Sequence, residues 1–175
     1  MSSEIKQKGL GIIGLLSTIL VIIIIIMFSL FFFDPIRKFK SARDAERWSD
    51  ASLILNAIKD YQENNNGSLL EKMDGIYNDE WYMIVGGAMT SGCDNNNAFS
   101  DVEVYNDDYC IDISKLVDDG YLGSIPISPS GKTQWDEGIN NNNNGTGYAL
   151  MLDKEDKLYI QACESENTTE ISIFR

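Results

Sequence analysis

The chain has 175 residues and a formal net charge of −13, with 14 Lys and Arg against 27 Asp and Glu. This balance argues against nucleic acid as a partner, because phosphate binding needs clustered Lys and Arg. The chain has no histidine, which excludes Ser-His and Cys-His nucleophile pairs and His-ligated zinc sites. No other nucleophile or cofactor motif accompanies the acidic residues, so we do not expect an enzyme.

The first predicted element is an apolar helix, LGIIGLLSTILVIIIIIMFSLFFF, from Leu10 to Phe33. Its 24 uncharged residues would rise about 36 Å, which is enough to cross a bilayer core. The run is longer than the apolar core of a secretory signal, and it ends in LFFFDP without a small-x-small cleavage site. We therefore predict a permanent membrane-spanning segment over residues 10–33.

Small residues lie on one face of this helix at spacings of three and four: Gly11, Gly14 and Thr18. Such a face allows close packing against another helix in lipid. Glycine is also simply common in membrane-spanning helices. The pattern leaves both readings open, and it does not distinguish a second copy of the chain from a different partner helix.

The charges that flank the apolar segment and the cysteines that follow it give conflicting indications of topology. Lys6 and Lys8 precede the segment, whereas four basic residues follow it within ten positions. The positive-inside rule, taken alone, would leave the C-terminus in the cytoplasm. Three cysteines in the polar, loop-rich region are instead typical of exported proteins. On that ground we predict an extracytoplasmic C-terminal domain.

An amphipathic helix is predicted to follow over residues 34–66. Its apolar residues recur at spacings of three and four and form one stripe: Ala51, Ile54, Leu55, Ile58 and Tyr61. Two pairs of opposite charge lie on the other faces at spacings that allow weak ion pairs: Arg43 with Glu46, and Arg47 with Asp50. Pro35 marks a possible kink and Asn64–Gly67 a C-terminal stop. Residues 10 to 63 are therefore predicted to form one nearly continuous helix of about 80 Å.

Residues 67–175 are predicted to form a globular domain with a small antiparallel sheet. DISKLVDDGYLGSIPISPS indicates a short helix that stops at Gly120 and a proline-containing loop. GTGYALMLDKEDKLYIQACES indicates two strands joined by the charged turn Asp153–Lys157, and a weaker strand is predicted at Ile171–Phe174. One long helix and a small sheet make an α+β fold, in which the stripe of residues 51–61 covers one face of the sheet.

The three cysteines allow three pairings, which sequence alone does not resolve. We favour Cys93–Cys110, because it closes a short polar loop and is worth about 3 kcal/mol in the chain-entropy account. Cys163 would then be a buried thiol or form an intermolecular bridge, and Cys110–Cys163 is the competing pair. The chain has no C-x-x-C motif, so a redox-active role is not expected.

Several motifs, in this order, resemble those of type IV prepilins and type II secretion pseudopilins. Lys8-Gly9 directly before the apolar helix resembles their processing site. SARDAERWSDASLILNAIKDYQENNNG is similar to the second half of their N-terminal helix, with its closing Tyr-x-x-(Asp/Asn)-Asn-Gly element. LVDDGYLGSIPISPS, GTGYALML and LYIQACESE resemble their stretch through Tyr-Leu, Ile-Pro, x-Pro and the last strands. Together these motifs cover most of the chain.

The resemblance implies a leader of residues 1–9, cleavage after Gly9 by a prepilin peptidase and N-methylation of Leu10. It implies a pilin-like fold and polymerisation with other pilin-like subunits through the apolar helices, at an inner-membrane assembly platform, from a membrane-embedded precursor. The C-terminal domain would lie outside the cytoplasmic membrane and be displayed on a cell-surface filament. No cofactor is expected.

One position departs from the pattern of this family, which has a glutamate at the fifth mature residue where this chain has Gly14. In the family that carboxylate is thought to meet the charged N-terminus of a neighbouring subunit within the apolar bundle. The tip-type minor pseudopilin also lacks this glutamate. Gly14 therefore favours a minor or tip subunit, or a membrane-anchored relative that does not assemble.

Acidic residues in the loop region raise the question of calcium, because some pseudopilins that resemble this chain hold calcium in a loop of the C-terminal domain. A hard cation takes oxygen ligands, and the candidates are Asp101, Asp107 and Asp108. Their spacing matches no EF-hand, and a solvated acidic loop is the alternative.

Two functions from different classes therefore remain. The first is a structural subunit of a type IV pilus or pseudopilus-like filament, with Gly9 and Leu10 in processing and Gly11 and Gly14 in helix packing. The second is a single-pass membrane-anchored binding protein that does not polymerise. The Lys-Gly junction and the two-part helix favour the first function, whereas Gly14 leaves room for the second.

Overall fold

The computed structural model describes residues 10–87, 92–93, 100–105, 108–131, 135 and 145–175. For residue 10 and residues 30–33 only the backbone is described. The chain divides into two compact units, residues 1–39 and residues 40–175. We describe each unit by itself and call residues 40–175 the domain.

Two helices replace the single, nearly continuous helix that the sequence predicts: α1 (Leu10–Phe33) and α2 (Pro35–Asn64). The interruption is at Asp34, whose φ of 30° is not helical. A residue before proline is disfavoured in the helical region, and Pro35 suits the first position of a new helix. The Asp34 carboxylate accepts a hydrogen bond from the Arg37 amide at 3.2 Å, so Asp34 caps α2.

The C-terminal end of α2 confirms the predicted stop at the asparagine cluster. The helix ends at Asn64, and Asn66 and Gly67 take positive φ values of 57° and 82°. The Gly67 amide donates to the carbonyl oxygen of Gln62 at 2.8 Å. Left-handed residues with such a backward hydrogen bond satisfy the carbonyl groups at a helix end.

The domain contains one five-stranded sheet with the spatial order β2-β1-β3-β4-β5. Its strands in chain order are β1 (Tyr82–Val85), β2 (Ile111–Asp112), β3 (Gly145–Leu152), β4 (Leu158–Ala162) and β5 (Ser172–Phe174). A 3₁₀ turn (Met73–Gly75) precedes β1, and the short helix α3 (Ser114–Asp118) follows β2. The predicted strands near the C-terminus and the predicted short helix before Gly120 are therefore confirmed.

The sheet is mixed, which corrects the prediction of a small antiparallel sheet at one strand. Strands β1, β3, β4 and β5 pair antiparallel to one another, whereas β2 pairs parallel to β1, with Ile84 opposite Ile111. A parallel pair needs a long connection. Here residues 86–110 provide it, and they contain Cys93 and Cys110. The predicted α+β class and the predicted small sheet are confirmed.

Two buried clusters fill the domain, one on each face of the sheet. The larger cluster joins the predicted apolar stripe of α2 to alternate residues of β3 and β4: Ala51, Ile54, Leu55, Ile58 and Tyr61 with Tyr148, Leu150, Leu158 and Ile160. The smaller cluster contains Met83, Val85 and Ala149 of the other face together with Trp135 and all three cysteines. The sheet is therefore covered on both faces, and α2 covers one of them.

Candidate functional site

Helix α1 is uncharged and long enough to cross a membrane. Its window Gly11–Ser29 has a mean hydropathy of 3.0, and none of it is buried inside the protein. Apolar side chains such as Ile12 and Ile13 are about 70% exposed. Exposed apolar surface on this scale marks a membrane or protein interaction site.

Two glycines of the predicted packing face of α1 have open space beside them in the described part of the chain. A Cβ atom added at Gly11 or Gly14 would meet nothing within 4 Å. The Thr18 hydroxyl donates to the carbonyl oxygens of Gly14 and Leu15 at 3.1 and 2.8 Å. The one polar group of this face is therefore satisfied inside the helix, and the two glycines leave room for a close neighbour. Gly9 and the leader lie outside the described residues, and Leu10 is the first residue of α1.

The domain holds a buried cluster of charges on the first half of α2, centred on Arg47. The Arg47 side chain is fully buried. Its Nε donates to Ser128 Oγ at 3.1 Å, Nη1 to Asp44 at 2.9 Å and Nη2 to the carbonyl oxygen of Pro129 at 3.0 Å. Nη2 also lies 3.4 Å from carboxylate oxygens of both Glu164 and Glu166. One guanidinium thus joins α2 to two later segments of the chain.

Asp44 completes this connection through the backbone. Its carboxylate accepts hydrogen bonds from the amides of Glu166 at 3.1 Å and Asn167 at 2.7 Å. The Asn167 side-chain amide in turn donates to Ser41 Oγ at 2.9 Å. Buried charges are tolerated when they are paired and hydrogen-bonded, and Asp44 meets both conditions. The segment that follows β4 is therefore fixed to α2.

Arg43 and Glu166 form the partly exposed edge of the cluster. The Nε and Nη2 groups of Arg43 donate to the two carboxylate oxygens of Glu166 at 2.8 and 2.5 Å, the bidentate geometry of a strong ion pair. The hydrogen bond from Arg43 lowers the pKa of Glu166 below its ordinary value, so this carboxylate is charged at neutral pH. A cleft of about 300 Å³ lies beside the pair, lined by Lys40, Arg43, Gly131, Ser165 and Glu166.

Gly131 lies against the charged cluster. An added Cβ would lie 2.8 Å from Arg47 Nη2 and 3.0 Å from Glu166 Oε1, and it would approach Glu164 more closely still. A side chain at this position would therefore require the charged ends of these three side chains to shift.

A tyrosine extends the polar network farther along α2. The Tyr148 hydroxyl donates to Asp50 at 2.7 Å. Burial raises the pKa of Tyr148, and burial also raises the pKa of Asp50, since each would carry its charge in a poorly solvated position. Asp50 thus faces the same sheet as the apolar stripe of α2.

The predicted ion pairs Arg43–Glu46 and Arg47–Asp50 are wrong. Arg43 pairs with Glu166, and Arg47 pairs with Asp44, Glu164 and Glu166. The sequence did contain a pattern that could have predicted the burial of these charges. Asp44 and Arg47 precede Ala51 by seven and four residues, so they lie on the same helix face as the apolar stripe. Both carboxylates of the later segment are far away in the sequence, and local spacing gave no reason to pair them with α2.

A disulfide joins Cys93 to Cys110, with 5.4 Å between their Cα atoms. This is the pair that the sequence analysis favoured. Cys163 is a buried free thiol, and burial raises its pKa to about 12, so it is not a reactive thiolate. A buried thiol is one of the two states that the sequence analysis predicted for Cys163.

The calcium candidates are not brought together in the described parts of the chain. Asp101 accepts hydrogen bonds from the amide and hydroxyl of Ser165 at 2.8 and 3.0 Å, Asp108 is exposed, and Asp107 lies outside the described residues. Among the residues whose placement is described, no group of three or more potential ligands surrounds a metal position. Calcium binding stays a prediction without a located site.

Comparison with known proteins adds no relative. No protein-family model matches the chain, and no curated protein and no solved structure matches it. The functional interpretation therefore depends on the residues and contacts described above.

Proposed function

We propose that this chain is a structural subunit of a type IV pilus or pseudopilus-like filament, processed after Gly9 and assembled through α1. The observation that supports this proposal most directly is α1 itself: it has 24 residues without a charge, and its large apolar side chains from Ile12 to Phe28 are exposed. Such a surface needs lipid or other apolar helices around it. Gly11 and Gly14, where an added Cβ would meet nothing within 4 Å, supply the place where a second α1 packs closely.

The domain supports this proposal by its construction. Helix α2 follows α1 after a single residue and forms one wall of an α+β domain. The domain has its own core and a surface rich in acidic residues, as expected of a unit displayed in solution. The contacts of Arg43, Asp44 and Arg47 fix the segment after β4 to α2. These are features of a structural module.

The test is the intact mass and N-terminal sequence of the protein from native membranes and from sheared surface fibres. We expect a mature chain that begins at Leu10, carries an N-methyl group and is present in the fibres. A Gly9→Val variant should keep the leader and be absent from fibres, whereas a Gly11→Ala variant should still be processed. A chain that begins at Met1 or Ser2 and stays in the membrane would refute the filament proposal.

The second candidate is a membrane-anchored binding protein, and Gly14 is the observation that favours it. Without a carboxylate at this position, the amine of Leu10 lacks the partner that the resemblance implies. In this case α1 is only an anchor and the domain captures a ligand. The same experiment separates the two functions, because an anchor needs neither cleavage nor incorporation into fibres.

A further inference from the structure

Four tyrosines contact one another in series beside strand β1, in the order Tyr77, Tyr105, Tyr82 and Tyr109. The rings of Tyr77 and Tyr105 have centroids 5.5 Å apart and planes inclined by 68°. The Tyr82 ring lies 5.8 Å from Tyr105 and 5.6 Å from Tyr109. The first two members lie at the surface, since Tyr77 is 64% and Tyr105 47% exposed, whereas Tyr82 is 2% exposed and Tyr109 is half-buried.

The two surface members are unusual among the tyrosines of this chain. All eight tyrosines lie within the described residues, and the other six are buried or half-buried. The two exposed tyrosines of the chain, Tyr77 and Tyr105, are thus the pair whose rings contact each other at the surface. A reagent in solution that acts on phenol rings meets both at one place.

The backbone holds this pair in position. The Tyr77 amide donates to the hydroxyl oxygen of Tyr82 at 2.9 Å, and the Tyr105 amide donates to the carbonyl oxygen of Trp81 at 2.8 Å. Both residues are thus tied to β1 or to the residue directly before it. Groups held in contact react as if at very high local concentration, which favours a reaction between these rings over one between molecules.

We propose that Tyr77 and Tyr105 form an oxidative cross-linking site that closes a dityrosine bond within the chain. The oxidant is a peroxide acting through a haem peroxidase, which removes one electron and one proton from each phenol. The two resulting phenoxyl radicals join through their ortho carbons, and the two ortho protons move to the oxygens to restore the phenols. In total the chain loses two hydrogen atoms, and one hydrogen peroxide becomes two waters.

The bond would connect the segment before β1 to the segment before β2. The disulfide Cys93–Cys110 already links parts of the same long connection. The dityrosine would add a second covalent closure that reductants do not open. Its formation does not depend on filament assembly, because both rings belong to one domain.

A second tyrosine pair in the chain allows the effect of solvent exposure on cross-linking to be tested. Tyr61 and Tyr121 have centroids 5.6 Å apart and planes inclined by 76°, nearly the geometry of the exposed pair. Tyr61 is only 7% exposed. If exposure as well as contact selects the site, this second pair stays unmodified under conditions that couple the first.

The experiment treats the full chain in detergent micelles with a haem peroxidase and limiting hydrogen peroxide, followed by peptide mapping and dityrosine fluorescence. We expect one cross-linked peptide pair that contains Tyr77 and Tyr105, a monomeric chain lighter by two hydrogen atoms, and complete loss of the signal in Tyr77→Phe and in Tyr105→Phe. The Tyr121→Phe control should couple like the wild type. Coupling at Tyr61–Tyr121, coupling only between chains, dityrosine that persists in Tyr77→Phe, or no dityrosine after the peroxide is consumed would each overturn the proposal.

Discussion

Arg47 neutralises more buried charge than any other side chain described in the domain. Three carboxylates, those of Asp44, Glu164 and Glu166, lie within ion-pair distance of it. Replacing one partner of a buried ion pair costs more than the pair contributes, because the remaining charges stay buried without compensation. The position therefore has little tolerance for substitution.

We predict that Arg47→Met lowers the free energy of unfolding of the domain by about 3–5 kcal/mol. The matched control is Arg43→Met, whose side chain is 33% exposed and whose loss should cost about 1 kcal/mol or less. Urea unfolding of the full chain in detergent, followed by tryptophan fluorescence, measures both. Equal losses in the two variants would contradict the assigned role of Arg47.

The ion pair between Arg43 and Glu166 should make part of the domain's stability sensitive to acid. Its folded-state pKa is lowered, first by the hydrogen bond from Arg43. A lowered pKa means that the contribution is fully present above the unfolded value of about 4.3 and is lost as the pH falls through the folded value. In Glu166→Gln the stability should fall less steeply between about pH 5 and pH 3.

The control for this pH series is Glu63→Gln, since Glu63 is exposed on α2, the helix that carries Arg43. The slope of stability against pH in this variant should match that of the wild type. A Glu166→Gln slope that also matches the wild type would show that the ion pair with Arg43 contributes nothing to acid stability.

At the scale of elements, the boundary between α1 and α2 depends on the Asp34 side chain. We predict that Asp34→Ala speeds hydrogen exchange at the Arg37 amide, because that amide loses its acceptor, and lowers the stability of the first turn by about 1 kcal/mol. Asp34→Asn keeps an acceptor oxygen and serves as the control. Exchange at Arg37 that is equally slow in Asp34→Ala would exclude the cap.

Most elements followed from the sequence, and the exceptions have physical causes. Strands β3 and β4 are eight and five residues long and flank a charged turn that marks a hairpin, whereas β1 has only four residues, all of them buried. Because β1 is too short to show a pattern of its own, and Gly86-Gly87 directly after it suggested a loop, it was not predicted. Strand β2 has only two residues. Without these two strands the parallel pairing could not be predicted.

The sheet also explains why Cys110 does not pair with Cys163. Cys110 borders β2 and Cys163 borders β4, with β1 and β3 between them. Three strand spacings place these backbones about 14 Å apart, roughly twice the limit for a disulfide. Sequence alone left this pair open, because the separation depends on strand order. The charged cluster on α2 was missed for a related reason, since its partners are 117 to 123 residues apart.

At the scale of the whole molecule, charge sets a limit on assembly. Residues 40–175 contain 25 acidic and 10 basic side chains, a formal net charge of −15. If α1 brings copies together in a filament, their domains repel one another over distances set by ionic strength. The apolar helices must overcome that repulsion.

We therefore predict that the yield of sheared filaments rises between about 0.01 M and about 0.15 M salt, because the screening length falls from about 30 Å to about 8 Å. Sucrose at matched osmolality is the control and should leave the yield at its low-salt value. A yield that does not change with salt would mean that the acidic surfaces stay well apart in the filament.

The contacts of Arg43, Asp44 and Arg47 also determine when the domain can complete its folding during synthesis. These residues are made early in synthesis, and their partners Glu164, Glu166 and Asn167 lie more than a hundred residues later. While the chain is still emerging, the charged start of α2 has no partners and must stay hydrated. The domain therefore closes only after nearly all of it has been translated and delivered to the compartment where it folds. A premature stop before residue 164 would leave an open, proteolysis-sensitive chain attached to an intact α1.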